Sequence, residues 1–168
     1  GMEEFSREFF RKSNYAFVAP TVPPVVFLDT HTQRTLFADR PPELLSRAAI
    51  GRLAQLLPAI NSLPAGAPLM LVSPAPVIGP PAILTVNRQS RSLRPGHPLD
   101  PDEDPDWWLD TPLALRRLLR TLMDHVAGTQ RRIVVFSGDY HYGYTTAACL
   151  VDRPAPSPSF RAVGLYQL

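Results

Sequence analysis

The chain has 168 residues, 45% of them hydrophobic, and a formal charge of only +2, which is enough apolar material for one domain with a sizeable core and excludes a disordered tail. Its cations are scattered arginines, with Lys12 the one lysine, and no basic block is interleaved with aromatics as a nucleic-acid surface requires. The single cysteine, Cys149, rules out an intrachain disulfide or a cysteine-based zinc site, and no apolar stretch approaches the roughly 20 residues of a membrane helix.

Residues 1–14 are charged and aromatic and read as an N-terminal arm. Gly1 before Met2 reads as a residue added in cloning, and a start at Met2 without a signal-peptide core predicts a cytoplasmic product. Tyr15 to Val18 and Val25 to Leu28 have the composition of two strands, with Pro20, Pro23 and Pro24 forcing a turn between them. The second strand ends at Asp29-Thr30-His31.

Pro41-Pro42-Glu43 suits the first turn of a helix, where missing proline donors cost little. Leu45, Ala49, Leu53, Leu56 and Leu57 then share one face until Pro58 stops or kinks it. Leu69-Met70-Leu71-Val72 reads as a buried strand. From about 74 to 106 the chain is rich in proline, arginine and aspartate, too irregular for one regular element. Loops of that length in a compact domain usually serve function.

Thr111-Pro112 marks a second helix start, and Leu115, Leu118, Leu119, Leu122 and Val126 follow the spacing of a half-buried helix that Gly128 closes. Arg116, Arg117 and Arg120 fall off that stripe, as a solvated face would. Ile133 to Phe136 is the next strand, followed by strands at Thr145 to Val151 and Phe160 to Leu168 with a proline-rich surface link between them. Cys149, inside an apolar run, reads as a small core residue. Strand, helix, strand, helix and a final run of strands predict an α/β (α+β layered) domain: a mixed β-sheet flanked by helices.

Ser137-Gly138-Asp139-Tyr140-His141-Tyr142-Gly143, directly after the Ile133 strand, is the segment best suited to chemistry. If the extension continues, Asp139 and His141 project to one side and can reach one metal ion. The plain alternative is a polar turn between strands. Asp29 and His31 repeat the carboxylate and imidazole spacing after Val25 to Leu28, so four ligands could converge if both pairs sit at the same end of a parallel sheet. His97 and His125 have no ligand-spaced neighbour; His125, in a helix's last turn, reads as a dipole-favoured surface residue.

Several segments, in order, resemble the C-terminal half of the PhoD-like alkaline phosphatases, a branch of the calcineurin-like metallophosphoesterases. Tyr15-Ala16-Phe17 with Val26-Phe27-Leu28-Asp29-Thr30 is similar to that family's strand pair ending in Leu-Asp-Thr-Arg and a second arginine. Ile50-Gly51 with Gln55 and Leu57 resembles its glycine, glutamine and leucine helix, and Trp107 or Trp108 with Arg116 or Arg117 its tryptophan and arginine helix. Arg132 to His141 matches most closely, to its Leu-Ser-Gly-Asp-Val-His strand and turn. The resemblance spans residues 15–168 and implies part of an αββα sandwich.

It further implies that Asp139 and His141 are metal ligands and that Arg34, matching the family's second arginine, is a substrate-binding group; in a second alignment Asp29-Thr30-His31 resembles the Asp-x-His motif that opens ordinary metallophosphoesterases, which makes Asp29 and His31 the alternative pair. The implied metal is iron, zinc, manganese or calcium, and the implied chemistry is hydrolysis of phosphate mono- or diesters. The family's other half supplies an early metal-binding aspartate, a Gly-Asp-Gln segment and an Asp-His-Glu segment, none of which occurs in this sequence. His31 also stands where the family usually has arginine. Two ligands do not hold two metals, since each ion needs four to six. The expectation is a fragment inactive by itself and partly or wholly without metal; the alternative is a non-catalytic remnant or subunit that binds a protein partner. A sheet edge left open by a missing half favours a homodimer or a complementing chain. Members of the parent family are often exported, which sets a second expectation for location beside the cytoplasmic one.

Overall fold

A computed structural model of the chain describes residues 17–19, 21–35, 43–64, 66–79, 108–127, 129, 131–138, 143–152 and 161–168. In these residues one six-stranded mixed sheet, ordered β1-β2-β3-β4-β6-β5, carries two helices. Its strands are β1 (Phe17–Ala19), β2 (Val25–Phe27), β3 (Leu69–Ser73), β4 (Ile133–Ser137), β5 (Thr146–Asp152) and β6 (Arg161–Gln167). The four inner strands β2, β3, β4 and β6 run parallel, and the edge strands β1 and β5 pair antiparallel to their neighbours. The α/β class and the mixed sheet predicted from the sequence are both present.

Helix α1 (Arg47–Leu56) connects β2 to β3, and α2 (Pro112–Val126) lies between β3 and β4. Because the strand order advances one way from β2 to β4, right-handed crossovers put both helices on the same face, where they pack on each other. α1 starts at Arg47, six residues later than a first turn at Pro41-Pro42-Glu43 suggests. Ser46 is its cap, accepting a hydrogen bond from the Ala49 N–H at 3.1 Å. Glu43 instead bridges Thr35 as an isolated β-pair, and Leu44 and Leu45 are buried ahead of the helix rather than on it. Pro58 does change the helix, which tightens into a 3-10 segment over Leu57–Ser62.

The core lies between this helical layer and the alternate sheet positions Val26, Leu69, Leu71, Ile133, Val135 and Leu165, all fully buried. From the helices come Leu53 and Leu57 on one side and Leu118 and Leu122 on the other. Strand periodicity sends the intervening side chains to the opposite face, so Val25, Met70, Val72 and Val134 are half-buried there and Phe27 and Phe136 are exposed. Cys149 belongs to that second face and is exposed, not a core residue. In β5 the inward parity falls on Ala148 and Leu150.

Arg131 is buried just ahead of β4 and donates to three carbonyls: Nη1 to Ala67 at 2.9 Å, Nη2 to Leu63 at 2.8 Å and to Ile60 at 3.1 Å. Its guanidinium thereby closes the C-terminal end of the 3-10 segment against the turn that enters β3, where Gly66 adopts a positive φ of 82°. Among the described residues no helix is long and apolar enough to cross a membrane. The predicted N-terminal arm and most of the predicted 74–106 loop lie outside the described residues.

Candidate functional site

Parallel strands bring their C-terminal ends to one edge of a sheet, and in open α/β sheets that edge is where ligands bind. Most of the buried polar side chains among the described residues gather there: Asp29, Thr30, Ser73, Thr111 and Gln167.

At the end of β2 the Leu28 N–H donates to the Val72 carbonyl at 2.9 Å, and the chain then turns on Asp29. Its Oδ1 accepts from the backbone N–H of His31 at 3.1 Å and of Thr32 at 2.7 Å, and its Oδ2 accepts from the Thr32 hydroxyl. Aspartate does this readily because its short carboxylate reaches amides two and three residues ahead. The buried Asp29 carboxylate therefore holds its own turn, while His31 is exposed. Arg34 folds back on the same turn, its Nε donating to the Thr30 carbonyl. Thr30 is fully buried and its hydroxyl has no hydrogen-bond partner.

At the end of β3, Ser73 is buried at the inward parity of Leu69 and Leu71. Its hydroxyl donates to the Ala75 carbonyl at 2.6 Å and accepts the indole N–H of Trp108 at 3.0 Å. Of the two candidate tryptophans, Trp108 is thus the one whose place is described, fully buried beneath this edge.

Gln167, at the end of β6, is fully buried and uses every hydrogen-bonding position of its amide. Oε1 accepts from the N–H groups of Val77 at 2.9 Å and Ile78 at 2.8 Å, and Nε2 donates to the Ile78 carbonyl at 2.7 Å and to the Tyr144 hydroxyl. The Tyr144 hydroxyl in turn donates to the Ile78 carbonyl at 2.8 Å. One side chain thus ties the loop after β3 to the return limb of the loop after β4. Sequence reading passed over Gln167 and Tyr144. The available signal was parity: Gln167 continues the inward series Val163, Leu165 with a polar group.

β4 delivers Ser137 and Gly138 to the same edge, where the Leu168 N–H donates to the Val135 carbonyl at 2.9 Å. Asp139, Tyr140, His141 and Tyr142 lie outside the described residues, which resume at Gly143 and Tyr144. The register pairs Phe27 with Val72 and Val72 with Phe136. Asp29 and Gly138 therefore stand at the same height, with only β3 between them, two strand spacings or about 10 Å apart. Among the described residues no group of three or more histidine, cysteine, aspartate or glutamate side chains could hold a metal ion.

A separate concavity of about 830 Å³ opens between α1, α2 and the edge strand β5, with Arg47, Arg116, Arg117 and Arg120 around an apolar floor that includes Ile50 and Leu115. Arg116 and Arg120 are exposed, as a solvated face requires. Arg117 is not: its Nη1 lies 2.6 Å from Oε1 of the buried Glu43. The concavity is lined by cations and apolar groups; Thr121 supplies its one side-chain hydroxyl, and no carboxylate, histidine or cysteine is among its lining residues.

Comparison of the chain with protein-family models, with curated proteins and with solved structures gives no match to any of them.

Proposed function

We propose that the chain is a partial metallophosphoesterase-type domain of the PhoD-like kind, whose candidate metal ligands are Asp139 and His141 and which does not turn over phosphate esters by itself. The observation that carries this reading is the register of the parallel strands, which sets Asp29 and the Gly138 end of the Asp139 turn level on the ligand-binding edge, one strand apart. Carboxylate and imidazole at such an edge suit a first-row transition metal, which when bound polarises a phosphoryl oxygen and supplies a nucleophilic hydroxide. The chain's own residues would orient that centre. Gln167 and Tyr144 fix the limb leaving the Asp139 turn, and Arg34, half-buried on the Asp29 turn, is the nearest described cation in sequence to that edge and the candidate for a phosphate contact. Asp29 has one carboxylate oxygen with a single donor, so it retains lone pairs for a cation while it holds its turn.

Turnover is a separate matter from binding. Asp139 and His141 supply two ligands where a hydrolytic dinuclear site needs eight or so. Metal analysis of the purified protein against Asp139→Ala and His141→Ala tests the site: metal bound by the wild type and lost in both variants supports it, and equal metal content in all three removes it. Robust metal-dependent hydrolysis of an aryl phosphate by the 168-residue chain would overturn the inactivity.

A further inference from the structure

The arginine-lined concavity is graded along its length. Both helices connect parallel strands and run back from the C-terminal edge of the sheet, which places Arg47, the first residue of α1, and Pro112, the first of α2, at the end nearer that edge. Leu150 and Val151 lie at the other end, since they pair with Val163 and Ala162 near the start of β6. Between the two ends Leu115, Leu119 and Met123 recur every fourth residue, one apolar line along α2 with Arg116 and Arg120 beside it. Charge is compensated unevenly. Arg117 is paired with Glu43, and Arg120 stands 3.9 Å from Asp124, whereas Arg47 and Arg116 are exposed and make no ion pair or hydrogen bond among the described residues.

We propose that this concavity binds a free amphipathic anion, a fatty carboxylate with its head on Arg47 and Arg116 and its chain laid along Leu115, Leu119 and Met123 toward Leu150. A guanidinium meets a carboxylate with two parallel hydrogen bonds, and no carboxylate among the lining residues competes for it. From Pro112 to Met123 the helix rises about 16 Å, the reach of an extended chain of about twelve carbons. The volume, about 830 Å³, falls within the roughly 300–1,000 Å³ of small-molecule sites. Other anions fit less well. The described lining offers no aromatic ring on which a base could stack, and with Thr121 as its one hydroxyl it would leave the polar groups of a sugar unpaired. A recessed apolar line is reached by a single chain and not by a flat membrane surface. This inference stands apart from the phosphoesterase reading, because it calls on neither the Asp139 turn nor a metal.

Calorimetric titration of the full chain with dodecanoate, below its micelle concentration and with a chelator present, tests it. Saturable binding at one site is expected. Octanoate should bind about tenfold or more weakly, because each methylene lost from a buried contact is worth about fourfold. Dodecanol, which has the chain without the charge, and acetate, which has the charge without the chain, should also bind at least about tenfold more weakly. Arg47→Gln and Arg116→Gln should each weaken dodecanoate by about three- to tenfold with far-UV circular dichroism unchanged. Arg132→Gln, at an exposed arginine outside the concavity, should leave the affinity as it is. Absence of saturable binding, equal binding of octanoate or dodecanol, or an affinity unchanged in both concavity variants overturns the inference. So does capture of the chain by vesicles of phosphatidylcholine and phosphatidylglycerol without binding of dodecanoate, which would assign the arginines to a membrane surface.

Discussion

Gln167 offers a quantitative test of how the ligand-binding edge is held together. Its amide accepts from two buried backbone N–H groups, those of Val77 and Ile78. Truncation in Gln167→Ala leaves both without a partner, at about 1–3 kcal/mol each. The Ile78 carbonyl keeps the Tyr144 hydroxyl, so the donor side adds little. The expected loss is therefore about 4 kcal/mol, which for a chain of this size lowers the thermal midpoint by roughly 8–16 °C. Urea and thermal unfolding followed by circular dichroism measure it, and amide exchange at Val77 and Ile78 should accelerate more than in β4. Gln167→Glu keeps the two acceptor bonds but turns a second oxygen toward the Ile78 carbonyl. Burial and that oxygen raise the new carboxyl's folded pKa above its unfolded value of about 4.3. Its deficit is then full above the folded pKa and shrinks as pH falls from the folded pKa to about 4.3, because the protonated acid regains a donor. A Gln167→Ala loss below about 1 kcal/mol, or a glutamate deficit that grows on acidification relative to wild type, would refute the reasoning.

Two further expectations concern the scaffold. Arg131→Ala should cost about 3 kcal/mol, since three carbonyls lose a charged donor, and Arg131→Lys should recover only part because an ammonium cannot span the fork; equal urea midpoints for Arg131→Lys and wild type would count against the fork. The Glu43–Arg117 contact at 2.6 Å should show a coupling of about 1–2 kcal/mol in a double-mutant cycle with Glu43→Gln and Arg117→Met, and a coupling near zero would reduce it to a surface pair.

The elements that sequence reading located well are those with strong local periodicity. The stripe Leu115 to Val126 is α2, ended at Val126, and the apolar runs at Leu69 and Ile133 are the two central strands. Boundaries moved where a side chain competed for the backbone: Ser46 caps α1 although Pro41 and Pro42 look like a better start. The apolar neighbours of Cys149 suggest a core position, but an apolar run does not say which of two faces is covered, and Cys149 is exposed. At the site, Asp29 was legible as a residue and not as a role, since its three donors come from the two turn residues His31 and Thr32. Arg117 likewise reads as one more surface arginine until Glu43, a partner 74 residues away in sequence, is seen beside it.

By itself the sequence determined what local contacts determine: two amphipathic helices, a set of short strands, and their alternation into an α/β domain. Periodicity survives in sequence because residues two to four apart share a face. Tertiary structure decided the strand order, which face of the sheet the two helices cover, the level register of Asp29 with Gly138, and the Gln167 tie to Val77 across 90 residues of chain. These depend on which distant segments pair, and that choice is made by packing a whole layer at once, which no window of neighbouring residues records.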